Sequence, residues 1–269
     1  MATKAERHEM LAILTIARDG MPFISRHYAQ FQKLSFPWHW SIAEGTAKNA
    51  GSTSWCREIG PGVSTDGTLE YLQGIAGADK RITLVSRPWW EGGKDQMCNT
   101  ALQAFDKPGI LLQVDSDEMW DTETLKQLME FFRQRQEVGI ARFHCRYFVG
   151  PDIITVGENC YGANRGEWTR AWRWKPGIAF TRHEPPELRQ YLGRLAEKQL
   201  TKAYGLTFDH AAYVTESQIR FKQEFYGYAG AVSQWKRLQA STVWPVKLKD
   251  YLPWVDDRVQ AIRVQDGIR

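Results

Sequence analysis

The sequence predicts an α/β fold: a mainly parallel sheet flanked by helices, with a helical C-terminal part. Two observations carry this. Strand-like apolar runs alternate with helix-like periods through the first half of the chain, the order that builds parallel sheets. Ile110-Leu-Leu-Gln-Val114 is also apolar almost throughout, as expected of a strand covered on both faces.

The elements follow in order. Residues 11–16 are a short apolar run ending at Arg18-Asp-Gly20, which reads as a buried strand and a turn. Pro22 suits a first helical turn, and Phe23, His27, Phe31 and Leu34 recur behind it at helical spacing. Residues 38–43 alternate and read as a second strand. Gly45 to Val63 is rich in Gly, Ser, Thr and Asn and has no period. It reads as a long surface loop, of a length that is usually functional or mobile. Ser64-Thr-Asp-Gly-Thr68 then leads into a helix with Leu69, Leu72 and Ile75. Residues 81–85 are a third strand, and 95–105 a helix with Met97, Ala101 and Phe105 on one face. After the fourth strand, at 110–114, Asp121 caps a helix whose Leu125, Leu128, Met129 and Phe132 fall at i, i+3, i+4 and i+7. Residues 140–149 alternate as one strand. Helices are predicted over 186–203, 216–225 and 229–238, and residues 241–269 as a tail.

Composition removes several classes. Hydrophobic residues make up 43% and charged residues 25%, which excludes disorder, collagen and coiled coil. The longest apolar run, 10–16, falls far short of the roughly 20 residues of a membrane helix. The first residues carry no apolar signal core, so a cytoplasmic protein with no transmembrane segment is expected. A net charge of +4 spread along the chain forms no basic stripe, and no nucleic-acid partner is expected. Cys56, Cys98, Cys145 and Cys160 form no C-x-x-C pair, so neither a zinc knuckle nor a disulfide scaffold is indicated. The unusual count is 12 Trp. Indole faces fill cores, and they also pack on the C–H side of a pyranose.

The chemistry concentrates in Leu111-Leu-Gln-Val-Asp115-Ser116-Asp117-Glu118. A buried strand delivers acids to its C-terminal end, where ligands bind in open α/β sheets. Two carboxylates one residue apart there can converge on Mg²⁺ or Mn²⁺, with substrate phosphates as further ligands.

The opening strand, Ser64-Thr-Asp-Gly-Thr-Leu-Glu70, Asn99 in its helix, and Asp115-Ser-Asp117 together resemble the GT-A (Rossmann-like) fold of the family-2 glycosyltransferases, over about residues 10–135. The resemblance implies a metal-dependent enzyme that moves a sugar from a nucleotide-diphosphate sugar to the hydroxyl of a glycan or other acceptor. It implies that Ala17 and Arg18 border the base and that Glu44 faces the base or ribose. Lys94 and Asn99 would lie beside the donor phosphates or sugar, and Asp115 and Ser116 near the ribose. Asp117 would hold Mn²⁺ or Mg²⁺, and the late His210 would complete the metal's shell. One domain over 1–240 follows, with a nucleotide-sugar half at 1–135 and an acceptor half at 136–240, then the tail. Two departures stand out. Glu44 replaces the usual Asp, and nineteen residues separate it from Ser64, where the family runs straight on.

Inverting transfer needs a base for the acceptor hydroxyl. Glu184, in Phe180-Thr-Arg-His-Glu184-Pro-Pro-Glu187, is the predicted base, with Glu118 and Glu158 as rivals. A retaining enzyme would need none. Arg165, Arg170 and Arg173 among Trp168, Trp172 and Trp174 read as an acceptor-glycan surface, as a single-stranded nucleic-acid surface, or as a strand with an aromatic core face and a solvated basic face. Two other functions stay open. One is a nucleotidyltransferase, although Arg18-Asp-Gly-Met-Pro lacks the repeated glycines that wrap a triphosphate. The other is a non-catalytic glycan-binding protein.

Overall fold

Apolar, β-branched and aromatic runs make the strands of the first half, and amphipathic helices separate them. The computed structural model describes residues 9–157, 168–190 and 192–268. Its first half runs β1 (Met10–Ala17), α1 (Ile24–Phe31), β2 (Trp38–Ala47), α2 (Thr68–Ala78), β3 (Ile82–Trp90), α3 (Gly93–Leu102), β4 (Gly109–Gln113), β5 (Glu118–Met119) and α4 (Thr122–Gln134). Then come β6 (Val138–Arg142), β7 (His144–Gly150), β8 (Ile153–Val156), β9 (Thr169–Trp174), β10 (Phe180–Arg182), β11 (Glu187–Leu188) and β12 (Arg194–Ala196). The chain closes with α5 (Lys198–Ala203), β13 (Thr207–His210), α6 (Glu216–Phe225), α7 (Ala231–Gln239), β14 (Val246–Lys247) and β15 (Gln260–Arg263).

The main sheet has the order β12-β6-β9-β4-β1-β2-β3. β1 pairs in parallel with β2 and β4, and β2 with β3, so these strands end at one edge. β9 enters antiparallel between β4 and β6. Alternate residues feed two cores, as the pleat requires. Leu11, Ile13, Trp40, Ile110 and Leu112 join Phe31, Leu125, Leu128 and Phe132. Ala12, Leu14, Leu111 and Trp172 join Met97, Ala101 and Phe105. β4 is buried at every residue, in agreement with its apolar sequence. A second sheet, β14-β15-β8-β7-β13-β5, packs beside the first. Among the described residues, no helix is long and apolar enough to cross a membrane.

Asp121 caps α4, its side chain accepting from Thr124 N at 2.7 Å. Three later expectations need correction. Residues 140–149 are two strands in different sheets, divided at Phe143, whose N–H donates to Trp168 O at 2.9 Å. Alternation persists across the break, so the pattern cannot reveal the change of partner. Residues 186–203 are β11, β12 and the short α5 rather than one helix. Leu188, Leu192 and Leu195 imitate a helical stripe, but Gly193 takes φ +105° and lies against Gly139, so the chain enters the sheet edge. Residues 241–268 are folded rather than a tail. Leu248, Leu252, Val255, Val259 and Ala261 are buried, and β15 pairs with β8.

Candidate active site

β1, β2 and β4 end together, and a cleft of about 640 Å³ opens at that edge. Its position is the one at which open α/β sheets bind ligands, and its size suits a small molecule.

The turn after β1 forms one side. Asp19 N donates to Ser64 Oγ at 2.9 Å, Thr65 N to Asp19 Oδ1 at 2.7 Å, Gly20 N to Thr68 Oγ1 at 2.9 Å and Met21 N to Asp66 Oδ2 at 2.9 Å. The Ser-Thr-Asp-Gly-Thr run thus acts as the clamp that fixes this turn. Ala17 and Arg18 line the cleft, and the Arg18 guanidinium donates to the Thr46 hydroxyl. Glu44 is not brought to the cleft. It is fully buried, and its oxygens accept from Ser64 N and the Ser86 hydroxyl, both at 2.6 Å. It therefore anchors the clamp from within. Gly45 follows with φ +121°, where a Cβ would lie 1.8 Å from Arg87 O; β2 bulges there, and Thr46 beyond the bulge lines the cleft.

The acidic loop after β4 forms the floor. Arg170, on β9, is 3% exposed. Its guanidinium lies 2.7 Å from Glu118 Oε1 and 3.0 Å from Asp115 Oδ2. Burial would raise the Asp115 carboxyl, but Arg170 and His183 outweigh it and hold the group well below its usual range. Glu118 is fully buried, and burial raises its carboxyl against the pull of Arg170. A carboxylate so enclosed cannot meet an acceptor hydroxyl. Ser116 lines the cleft, and its carbonyl accepts from His27 Nε2 at 3.0 Å. Burial lowers His27 to about 4, so its ring is the neutral donor at pH 7.

Asp117 faces His210, with Oδ1 and Nε2 3.4 Å apart. The β5–β13 ladder makes the meeting, since His210 pairs with Glu118 and Ala211 N donates to Asp117 O at 2.7 Å. Burial would raise the Asp117 carboxyl, but His210 outweighs it and keeps the group ionised. Among the described residues, no three His, Cys, Asp or Glu side chains gather into a metal site. The oxygen and nitrogen of this pair are nonetheless the donor types that Mn²⁺ accepts, with phosphate oxygens available to add to them.

Lys94 and Glu184 form an ion pair on the side next to α3. Burial favours neutral Lys94, but Glu184 reverses this and raises it. Burial likewise works against the Glu184 carboxylate, yet Lys94 and His183 hold it below its usual value. Asn99 is not brought to the cleft. Its amide accepts from Phe180 N at 2.8 Å and donates to Phe180 O at 3.0 Å, which pins β10 to α3.

Of the β9 segment, Trp168 and Arg170 reach the cleft wall, while Trp172, Trp174 and Arg173 do not. Trp168, Trp172 and Trp174 are at most 6% exposed, and Arg173 is spent on Glu9 and main-chain carbonyls. Arg165 and Glu158 lie outside the described residues. Trp55, Tyr147, Tyr213, Lys222 and Tyr226 also line the cleft, and none was predicted. The unusual length of the 45–63 connection was the one signal for Trp55. The others lie in segments whose pattern reports burial, not direction.

Residues 62–185 match the family model of Glycosyl transferase family 2. The matched stretch is a little under half of the chain and resembles that family. That region contains Lys94, Asn99, Asp115, Ser116, Asp117 and Glu184, begins after Ala17, Arg18 and Glu44, and stops before His210. Its mainly parallel sheet and flanking helices agree with the GT-A fold. No curated protein matches the chain. Among solved structures, S. aureus TarS 1-349 aligns at 17% identity and TM-score 0.42, over 61% of this chain and 47% of that one. The same TarS fragment in complex with UDP-GlcNAc aligns at 16% identity and TM-score 0.41, over 61% and 45%. The mannosyltransferase PcManGT from Pyrobaculum calidifontis, in complex with GDP-Man and Mn2+, aligns at 14% identity and TM-score 0.44, over 90% and 68%. The chain thus spans about half the length of the TarS fragment.

Proposed function

We propose that the protein is a metal-dependent glycosyltransferase that moves a sugar from a nucleotide-diphosphate sugar to an acceptor hydroxyl with inversion. The observation that carries the reading is the meeting of Asp117 and His210, 3.4 Å apart, in the same cleft as the Lys94–Glu184 pair. Asp117 and His210 would hold Mn²⁺ or Mg²⁺, which when bound supplies charge neutralisation to a departing diphosphate.

The chain's own groups do the rest. Ala17 and Arg18 border the base, and Asp115, oriented by Arg170 and by Gln113 Nε2 at 3.2 Å, meets the ribose beside Ser116. Lys94 offers an ammonium to the phosphates. Glu184, kept ionised by Lys94 and His183, takes the proton of the acceptor hydroxyl.

Incubation with UDP-, GDP-, CDP- and dTDP-sugars and Mn²⁺ tests the reading; slow release of a nucleoside diphosphate from one of them is expected. Asp117→Asn should fold yet lose Mn²⁺-dependent nucleotide binding by calorimetry, and equal binding by variant and wild type would rule out its role. Glu184→Gln should bind donor normally and turn over about 10²–10⁴-fold more slowly. A wild-type rate with saturating acceptor would reduce Glu184 to a turn residue.

A further inference from the structure

One wall of the cleft is aromatic, and no role above uses it. Trp55 is 63% exposed, yet it is not loosely placed. Its indole stacks on Tyr226, with centroids 5.3 Å apart and planes at 23°. Tyr226 stacks on Tyr228 at 5.4 Å, and Tyr228 on Trp254 at 4.4 Å. The loop's main chain is tied to the end of α6, where Arg57 N donates to Phe225 O at 2.8 Å. Trp55, backed by Tyr226, therefore presents one fixed flat face at the cleft.

The wall is continuous with the proposed base. Lys94, paired with Glu184, stands 5.6 Å from the Phe225 ring, and Phe225 meets Tyr226 at 4.9 Å. Glu184, Phe225, Tyr226 and Trp55 thus form one path from the base to the cleft mouth. An exposed indole held in place beside a polar site suits a ring-shaped ligand. An indole face carries partial negative charge, which attracts the C–H side of a sugar ring and leaves the ring's hydroxyls to polar neighbours. A long lipid chain would want an apolar trough, whereas this wall is flanked by Lys94, Glu184 and Lys222.

We infer that Trp55, held by Tyr226 behind it, is the stacking platform for a sugar ring of the acceptor, so the acceptor is a glycoside. This rests on the transferase reading of the cleft. The test uses protein labelled with 5-fluorotryptophan, in which the fluorine resonance missing from Trp55→Phe identifies Trp55. Methyl glucoside, methyl galactoside, methyl mannoside and methyl N-acetylglucosaminide are titrated with UDP or GDP and Mn²⁺ present. One glycoside is expected to shift the Trp55 resonance saturably. Trp55→Ala should weaken that glycoside about tenfold, within the range of a ring contact, and Trp55→Phe by less. If the nucleotide binds but no glycoside moves Trp55, the platform is wrong and the transferase reading survives. If the nucleotide alone moves Trp55, the wall serves the base and the inference is overturned. A response to decanol but to no glycoside overturns it in favour of a lipid contact. Failure of every nucleotide diphosphate to bind wild type would remove the transferase reading itself.

Discussion

Strand β9 and the loop that carries Trp55 hold the same kinds of residue and use them in opposite ways. On β9, Trp172 and Trp174 are 1% and 3% exposed, and Arg170 is enclosed by Glu118 and Asp115. In the loop, Trp55 is 63% exposed and Arg57 is exposed as well. Position makes the difference. β9 lies between β4 and β6, so partners cover its edges and layers cover its faces. The loop is held through its main chain, by Gly62 N to Pro88 O at 2.7 Å and Arg57 N to Phe225 O at 2.8 Å, and leaves the Trp55 side chain exposed. Aromatic residues next to arginines therefore identify a material, not a surface. The sheet decides which copy of the pattern stays in contact with solvent.

That contrast can be broken at several points. Trp172→Ala should cost the most, about 3–5 kcal/mol by urea unfolding, because a buried indole leaves a cavity. Arg170→Met should cost a similar amount, about 3–5 kcal/mol, since it strands the buried Glu118 without its cation. It should also weaken nucleotide binding through Asp115, and an unchanged affinity in the folded variant would show that Arg170 only holds the fold. Glu44→Ala should cost about 1–3 kcal/mol by leaving Ser64 N–H without its acceptor. Calorimetry on that variant sharpens the assignment. A nucleotide affinity that falls while the melting temperature holds would return Glu44 to direct contact with the ligand. Trp55→Ala should change stability least, within about 0.5 kcal/mol. A much larger loss would make Trp55 a structural plug and erase the difference between the two regions.

Much of the first half of the chain was legible. The runs at 11–16, 38–43, 81–85 and 110–114 became β1 to β4 because local periodicity and burial agree there. Asp115-Ser-Asp117 fell at the end of a parallel strand, as the order of elements required. Glu44 and Asn99 were misplaced because a carboxylate or an amide next to a site serves equally well as scaffold. For Glu44 the choice depended on where Ser64 N and Ser86 lie, and for Asn99 on Phe180, both long-range facts.

The sequence by itself determined the alternation of strands and helices, the apolar central strand and the acids at its end. These follow from side-chain size, polarity and spacing within a dozen residues. Only the tertiary structure decided the rest. It moved His210 beside Asp117 through the β5–β13 ladder, buried Arg170 between two carboxylates, and closed Lys94 onto Glu184. It also left Trp55, of 12 tryptophans, stacked and exposed at the cleft. Each of these joins residues far apart along the chain, and local pattern carries no information about such partners. Pairing of distant strands and packing of layers choose them.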